Sequence, residues 1–250
     1  MLTTLFLLAC TGKPVDDTGT PLDTSDSGST DAVCESPTDV PCVDAMILDL
    51  SLHDDKVSDG AVETTVDGTD FVTTVDASAG GASSASKKAW VYVKFNTDGA
   101  TRVDIDDDSA LESMDWDMSL RRFIVRLNGG DTGPSCVGVA AVGGGATYES
   151  ITSVPEGTTY EMDDYYNDQC ELQDDNSGLP GSPDVAMGGW WGYENCLTTT
   201  MQPYLIQLAD GRVIKLVVEA YYPPADQDEC NSTGTTTAEG GYYTLRWAQL

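Results

Sequence analysis

Alternation of apolar and polar residues is the main signal along this chain, and it predicts short β-strands joined by tight turns. Residues 61–66 and 70–75 alternate on either side of Asp67-Gly68, a dipeptide typical of two-residue hairpin turns. The same pattern recurs in segments 90–95 and 100–105 around Asp98-Gly99, and in segments 137–142, 147–152, 204–208, 212–222 and 242–249. No amphipathic helical pattern of ten or more residues stands out, so the chain predicts an all-β, antiparallel fold.

The N-terminal residues predict an export signal followed by a flexible stalk. Residues 1–10 are apolar and end in Leu-Leu-Ala-Cys, which resembles a bacterial lipobox with Cys10 as the lipidated residue, although no Lys or Arg precedes the run. Residues 11–42 are rich in Ser, Thr, Asp and Pro and have too few large apolar side chains to form a core. A single folded domain is therefore predicted over residues 43–250, beginning with the strand-like run 45–50.

The charge of the chain limits its partners. Forty-two acidic residues against twelve Lys and Arg give a formal net charge of -30. Such a chain repels nucleic acids and anionic lipid surfaces, so no nucleic-acid partner is predicted. Contact with a membrane is expected through the lipid anchor alone.

The cysteine count agrees with an exported protein. Setting Cys10 aside leaves an even number, which predicts three disulfides. The remaining residues are Cys34, Cys42, Cys136, Cys170, Cys196 and Cys230. Fifteen pairings are possible, and proximity in sequence favours 34 with 42, 170 with 196, and 136 with 230. No Cys or His spacing indicates a zinc site.

The segment 116–133 is the most specific in the chain. It reads Trp-Asp-Met-Ser-Leu-Arg-Arg-Phe-Ile-Val-Arg-Leu-Asn-Gly-Gly-Asp-Thr-Gly and holds three of the twelve cations within six residues. Strand alternation places Arg121 on one face and Arg122 and Arg126 on the other. We therefore expect Trp116 to be buried, and at least one arginine to pair with carboxylates such as Asp115 or Asp117.

This segment resembles the signature of the HmuY family of haem-binding outer-membrane lipoproteins, W-D-x-x-x-R-R followed by N-G-G-x-[ST]-G. Flanking hairpins extend the similarity to roughly residues 88–250. The resemblance implies one all-β domain of HmuY type, either a sandwich or barrel-like, with long loops. The cysteines in segments 160–191 and 223–241 indicate that disulfides tie these loops down.

Haem is the cofactor that the resemblance implies, and its iron needs axial donors from His, Met, Tyr or Cys. His53 is the only histidine and lies outside the matched region, so one chain cannot supply two histidines. The candidate ligands are therefore Met162, Met187, Met201 and Tyr165, with Tyr160 and Tyr166 as further phenol donors. Packing in the core is the competing interpretation for each methionine.

Other chemistry is less well supported. Trp190 and Trp191 could form an aromatic wall for a flat ligand or could close the end of the domain. The acidic runs 104–108 and 174–176 contain oxygen donors but do not match an EF-hand loop, so no metal site is predicted. Residues 130–134 resemble the nucleophile loop of serine proteases only superficially, and no triad accompanies them, so the chain is not predicted to be an enzyme.

Together these features predict a lipoprotein on the bacterial outer membrane that binds haem. The resemblance implies capture of haem, from solution or from haemoproteins, and delivery to a TonB-dependent outer-membrane receptor. The alternative is an adhesion or structural surface module on the same fold that binds no haem.

Overall fold

The computed structural model describes residues 34–175, 179 and 182–250. The predicted lipidation site Cys10 and most of the predicted stalk lie outside these residues. Within the described part, the segment after Cys34 already contacts the domain. The Cys34 amide donates to the Ala209 carbonyl at 2.9 Å, and the Thr38 amide donates to the Pro134 carbonyl at 2.7 Å.

Twelve strands form three antiparallel sheets in the described part of the chain. They are β1 Val62–Asp67, β2 Asp70–Asp76, β3 Val91–Asn96, β4 Gly99–Val103, β5 Met118–Arg121, β6 Ile124–Leu127, β7 Gly138–Ala141, β8 Trp191–Tyr193, β9 Leu197–Thr199, β10 Pro203–Gln207, β11 Val213–Ala220 and β12 Tyr242–Gln249. The large sheet has the order β1-β2-β12-β11-β10-β7, the small sheet β4-β3-β5-β6, and β8 pairs only with β9.

The two larger sheets enclose the main apolar core, so the fold is a sandwich. Val93 and Phe95 of the small sheet pack with Leu216 and Trp247 of the large sheet. The Phe95 ring meets the Trp247 ring edge-on, with centroids 5.0 Å apart. The prediction of an all-β, antiparallel domain is confirmed, and the sheets do not close into a barrel.

The predicted hairpins at 61–75, 90–105 and 204–222 are confirmed, as is the closing strand 242–249. The prediction for segment 147–152 was wrong, because Tyr148–Ser150 forms a 3-10 turn. Thr147 caps this turn through a reciprocal hydrogen-bond pair with Ser150. Local capping thus overrides the strand pattern.

Three α-helices lie in the described segments: α1 Val43–Asp49, α2 Asp107–Ala110 and α3 Pro224–Thr233. The strand predicted at 45–50 is therefore α1, since a short apolar run does not distinguish a strand from a helix. The loop predicted after Pro223 contains α3, which has proline at its first residue and Gly234 at φ 72 beyond its end. No described helix is long and apolar enough to cross a bilayer.

A second apolar cluster covers the outer face of the small sheet. Trp90 lies just before β3 and Tyr92 lies within it. Both side chains face away from the main core, toward Met46 of α1 and Tyr165 of the segment between β7 and β8. Trp116 is fully buried here, as predicted, and its indole N–H donates to the Ala110 carbonyl at 2.9 Å. The small sheet is thus the central layer of a three-layer arrangement.

Candidate functional site

The signature segment is a hairpin and not the single strand that its alternation predicts. Arg121 pairs with Ile124 across the turn, and Arg122 and Phe123 form the connection. Arg122 has φ 53, in the left-handed region, although it is not glycine. The turn has none of the Gly, Asn or Asp residues that signal a hairpin, so no local residue pattern predicts it.

The hairpin directs Arg121 and Arg122 to different surfaces, as predicted. Arg121 lies over the Trp90 ring, and its guanidinium donates to the Leu50 and Ser51 carbonyls at the end of α1. Arg122 donates to the Gly240 carbonyl, and its nearest carboxylate oxygen, on Glu239, is 3.9 Å away. These arginines therefore bind mainly carbonyl oxygens.

The carboxylates expected to pair with the arginines have other partners or other roles. Asp117 accepts from Lys94 Nζ at 2.9 Å and from the Phe95 amide at 2.8 Å. Asp115 forms no ion pair among the described residues. Asp115 and Asp117 are therefore not the partners, whereas the prediction that at least one signature arginine pairs with a carboxylate is confirmed by the Arg122–Glu239 ion pair at 3.9 Å.

Arg126 is fully buried between two indole rings. Its guanidinium carbon lies 4.9 Å from the Trp90 ring centre and 5.5 Å from that of Trp116. It donates to the Thr132 carbonyl at 2.9 Å and contacts the Tyr92 hydroxyl at 3.4 Å. The two cation–π contacts and the hydrogen bond to the Thr132 carbonyl together stabilise the buried charge of Arg126. The alternation pattern of the sequence did not predict that this charge is buried.

Asp163 is a buried carboxylate that joins the signature segment to the long loop, the segment between β7 and β8. One oxygen accepts from the Leu127 amide at 2.7 Å and the Thr132 hydroxyl at 2.8 Å. The other accepts from the Ala186 amide at 3.0 Å. Burial raises the pKa of Asp163 to about 6, while these donors and nearby Arg126 act to lower it. Sequence inspection missed this residue because its partners are distant in the chain.

The N-G-G-x-T-G part of the signature has a structural role. Asn128 donates to the Trp116 carbonyl at 2.8 Å and accepts from the Ser135 amide at 3.1 Å. A Cβ on Gly133 would lie 2.3 Å from the Asn128 side-chain oxygen. A Cβ on Gly130 would lie 2.2 Å from the Asp163 carbonyl oxygen. Only glycine allows these approaches, so the motif fixes a fold rather than presenting a ligand.

The cysteine pairing differs from all three preferred guesses. Disulfides join Cys42 to Cys170 and Cys196 to Cys230, whereas Cys34 and Cys136 are free thiols. The first disulfide connects residues 128 positions apart and ties the start of α1 to the long loop. Pairing depends on Cα distance in the folded chain, and proximity in sequence predicts it poorly.

The acidic run 104–108 is used within the fold. Asp106 caps α2, and Asp104 pairs with Arg102 at 2.7 Å. Asp107 is fully buried and accepts from the Trp90 amide at 2.9 Å and the Tyr92 hydroxyl at 3.1 Å. No group of three His, Cys, Asp or Glu suited to a metal ion occurs among the described residues.

An open groove of about 450 Å³ lies beside the long loop and the β8–β9 hairpin. Trp191 and Tyr193 of β8 supply its aromatic surface, with Asp175 and Asp184 on the loop side. Trp191 is half-buried against Phe123, with ring centroids 5.7 Å apart, while Tyr193 is 51% exposed. Val185, Ala186 and three glycines, at positions 188, 189 and 192, complete the described lining, and the glycines leave room for a flat ligand to approach the aromatic rings.

The predicted haem ligands do not converge on this groove. Met187 and Tyr165 are buried, at 1% and 0% exposure, and the Tyr165 hydroxyl donates to the Val125 carbonyl. Met162 lies beside Gly130 and is 44% exposed, whereas Met201 lies just before β10 and is 49% exposed. Pairing of Glu161 with Val139 and of Tyr204 with Ala141 places these two methionines toward opposite ends of β7.

The lone histidine also lies elsewhere. His53 contacts the Ser86 carbonyl through Nε2 at 3.1 Å and Lys56 Nζ through Nδ1 at 3.3 Å. Tyr193 is the phenol that sequence inspection missed. The available signal was the short run Trp191-Gly192-Tyr193, in which strand alternation places the two aromatic side chains on the same face.

Comparison with known proteins supports the resemblance. A family model described as HmuY protein matches residues 86–234, more than half of the chain. No curated protein matches.

Nine solved protein chains are similar to this chain, including the following three. A candidate HmuY-like heme binding protein from Bacteroides vulgatus ATCC 8482 is 17% identical, with a TM-score of 0.44, over 74% of this chain and 95% of that one. A candidate lipoprotein from Bacteroides fragilis NCTC 9343 is 17% identical, with a TM-score of 0.41, over 73% and 93%. The apo HmuY analog of Tannerella forsythia is 13% identical, with a TM-score of 0.37, over 77% and 97%.

Proposed function

Because the chain belongs to the HmuY family, we propose that it is a haem-binding lipoprotein and that haem enters the groove formed by Trp191 and Tyr193. The observation that carries this proposal is the combination of family membership with an open aromatic groove beside the loop that Cys42–Cys170 ties down. A half-buried indole offers a flat apolar surface to a porphyrin, and its contact with Phe123 holds it in place.

Tyr193 is our choice for the axial donor. Phenolate oxygen is an established haem ligand, and this hydroxyl group is on a half-exposed side chain at the groove. The candidates from the sequence are placed less well. Met187 and Tyr165 would have to leave the core, while Met162 and Met201 are exposed outside the described groove lining and could bind iron only at its edge.

The groove constrains how haem would be oriented. Asp175 and Asp184 would repel the two propionates, so these groups should point away from both carboxylates toward solvent. Arg121, Arg122 and Arg126 bind carbonyl oxygens within the fold, so we assign them no role in holding propionates.

Titration of the purified chain with haemin tests this function. We expect a shifted Soret band and one haem per chain, with both lost or strongly weakened in Trp191→Ala. Tyr193→Phe should also weaken ferric binding, and Tyr242→Phe is its matched control, because Tyr242 is a half-exposed tyrosine that lies on β12 outside the groove lining. If no Soret change occurs in the ferric or the ferrous state, haem binding is refuted. The alternative of a non-haem surface module on this fold would then stand.

The cellular part of the proposal is anchoring at Cys10 and delivery of haem to a TonB-dependent outer-membrane receptor. The Leu-Leu-Ala-Cys run and the polar segment after it support lipidation. Cys10→Ala should move the protein from the outer-membrane fraction to the soluble fraction. Unchanged fractionation and processing of this variant would contradict anchoring without affecting the haem experiment.

A further inference from the structure

Two thiols that are distant in sequence lie together at the edge of the domain. Cys34 and Cys136 are both half-buried, and the Cys34 side chain is the neighbour that acts on the Cys136 thiol. Gly138 pairs with Gln207, which places Cys136 close to Ala209, and the Ala209 carbonyl accepts from the Cys34 amide. They are the only free cysteines among the described residues, whereas the other four form disulfides. We propose that Cys34 and Cys136 form a redox-active pair that closes as a third disulfide and fastens segment 34–38 to the loop 128–136 at the end of the signature segment.

Backbone contacts on both sides hold the two thiols in register. The Cys34 amide donates to the Ala209 carbonyl at 2.9 Å. Four residues later, Thr38 donates to the Pro134 carbonyl twice, from its amide at 2.7 Å and from its hydroxyl at 3.1 Å. Cys136 is itself fixed by a bridge to Gly129. The disulfide would therefore join two segments that backbone hydrogen bonds already hold next to each other, which keeps the required backbone movement small.

The reaction is an exchange with the disulfide of a thiol–disulfide oxidoreductase, or with oxidised glutathione in vitro. The Cys34 thiolate attacks the donor disulfide and forms a mixed disulfide, and one donor sulfur leaves as a thiolate. The Cys136 thiolate then attacks the Cys34 sulfur and releases the second donor sulfur. The two cysteines lose two electrons and two protons, and the donor disulfide is reduced to two thiols.

The surroundings of Cys136 make uncatalysed closure slow. Burial, followed by the contact with Cys34, raises the pKa of Cys136 to about 12, so little thiolate is present at neutral pH. The attack of Cys136 on the mixed disulfide is therefore the slow step, and its rate with oxidised glutathione should increase about tenfold per pH unit between pH 7 and 9, following the Cys136 thiolate fraction.

The link would matter for an anchored protein. Residues 34–38 contact the loop 128–136 at Pro134 through Thr38, and Asn128 fixes this loop by accepting from the Ser135 amide. If the proposed lipid anchor at Cys10 is correct, a covalent bond at Cys34 would transmit any pull on the N-terminal segment to the sandwich rather than peel this segment from its surface.

Disulfide mapping of the full chain tests the pair. The protein is exported to an oxidising compartment and purified. It is unfolded in denaturant without reductant, in the presence of N-ethylmaleimide to block free thiols, and is then digested and analysed by mass spectrometry. We expect a linked peptide that contains Cys34 and Cys136 and is lighter by two hydrogen atoms than the sum of the two reduced peptides. The links 42–170 and 196–230 serve as internal controls.

The variant Cys34→Ser should leave Cys136 labelled by maleimide while both control links persist. The proposal is overturned if Cys34 and Cys136 are both labelled after incubation with oxidised glutathione while the control links are intact. It is equally overturned if either cysteine is linked to a different partner. The mapping of the unmutated chain needs no variant to fold, and neither result depends on whether haem binds.

Discussion

The two faces of the small sheet are stabilised by different means. Its inner face contributes Val91, Val93 and Phe95 to an apolar core shared with the large sheet. Its outer face carries Trp90 and Tyr92, and this side also buries Arg126 and Asp107. A sheet covered by another sheet needs only complementary apolar side chains, whereas a face covered by loops must also satisfy many backbone polar groups. The buried charged groups on the outer side bind those backbone groups.

The largest effect should come from removing an aromatic anchor on either face. Trp116→Ala and Phe95→Ala should each lower the free energy of unfolding by about 3–5 kcal/mol, because each leaves a large cavity around a fully buried ring. Chemical denaturation measures both. A loss below about 1 kcal/mol for Trp116 alone would show that the outer layer is not a true core.

The disulfide Cys42–Cys170 should separate the two faces most clearly. Replacing both cysteines by serine should cost about 2–5 kcal/mol, because the link closes a long loop in the unfolded chain. Hydrogen exchange should rise in α1 and around Tyr165 but remain unchanged in β11 and β12. Replacing Cys196 and Cys230 is the matched control, and it should loosen α3 and β9 instead. Equal loosening of the large sheet in both variants would contradict separate layers.

The pH dependence of stability should arise mainly from the buried carboxylates. The pKa of Asp163 is about 6 in the folded chain against 3.8 ordinarily, and burial also raises the pKa values of Asp107 and Asp117. A raised pKa means that the native state binds the proton more tightly. This contribution to stability is therefore complete below pH 3.8 and is lost as the pH rises through about 6.

Asp163→Asn tests the assignment of this pH dependence. The variant should lose one acceptor and about 1–3 kcal/mol, and its stability should change less between pH 4 and 7 than that of the unmutated chain. Denaturation at several pH values gives the slope. An unchanged slope would assign the pH dependence to other groups, such as the many surface carboxylates.

The smallest effect on stability, and the sharpest on ligand binding, is expected for Tyr193→Phe. The Tyr193 hydroxyl makes no hydrogen bond to another described residue, so the free energy of unfolding should change by less than about 0.5 kcal/mol. A phenolate is a hard donor that favours Fe(III), whereas a methionine thioether favours Fe(II). Loss of ferric binding in this variant supports Tyr193. Tighter ferrous binding that disappears in Met162→Ala or Met187→Ala would instead support the methionines.

Residues with local partners were predictable from the sequence. Alternation and turn dipeptides indicated the hairpins at 61–75 and 204–222, because strand pairing across a short turn depends on nearby residues. The signature predicted a buried Trp116 and divergent Arg121 and Arg122. The hairpin turn at Arg122 and the helix α3 were missed, since the first has no turn residue and the second has no apolar stripe.

Only the tertiary structure decided which distant groups meet. Cys42 pairs with Cys170, and Asp163 binds Leu127, Thr132 and Ala186, although nothing in their spacing indicates it. The same holds for the groove at Trp191 and Tyr193, which forms where the long loop meets the β8–β9 hairpin. Burial and hydrogen bonding over long sequence separations depend on the packing of whole layers, whereas the sequence by itself determined the strands from which those layers are built.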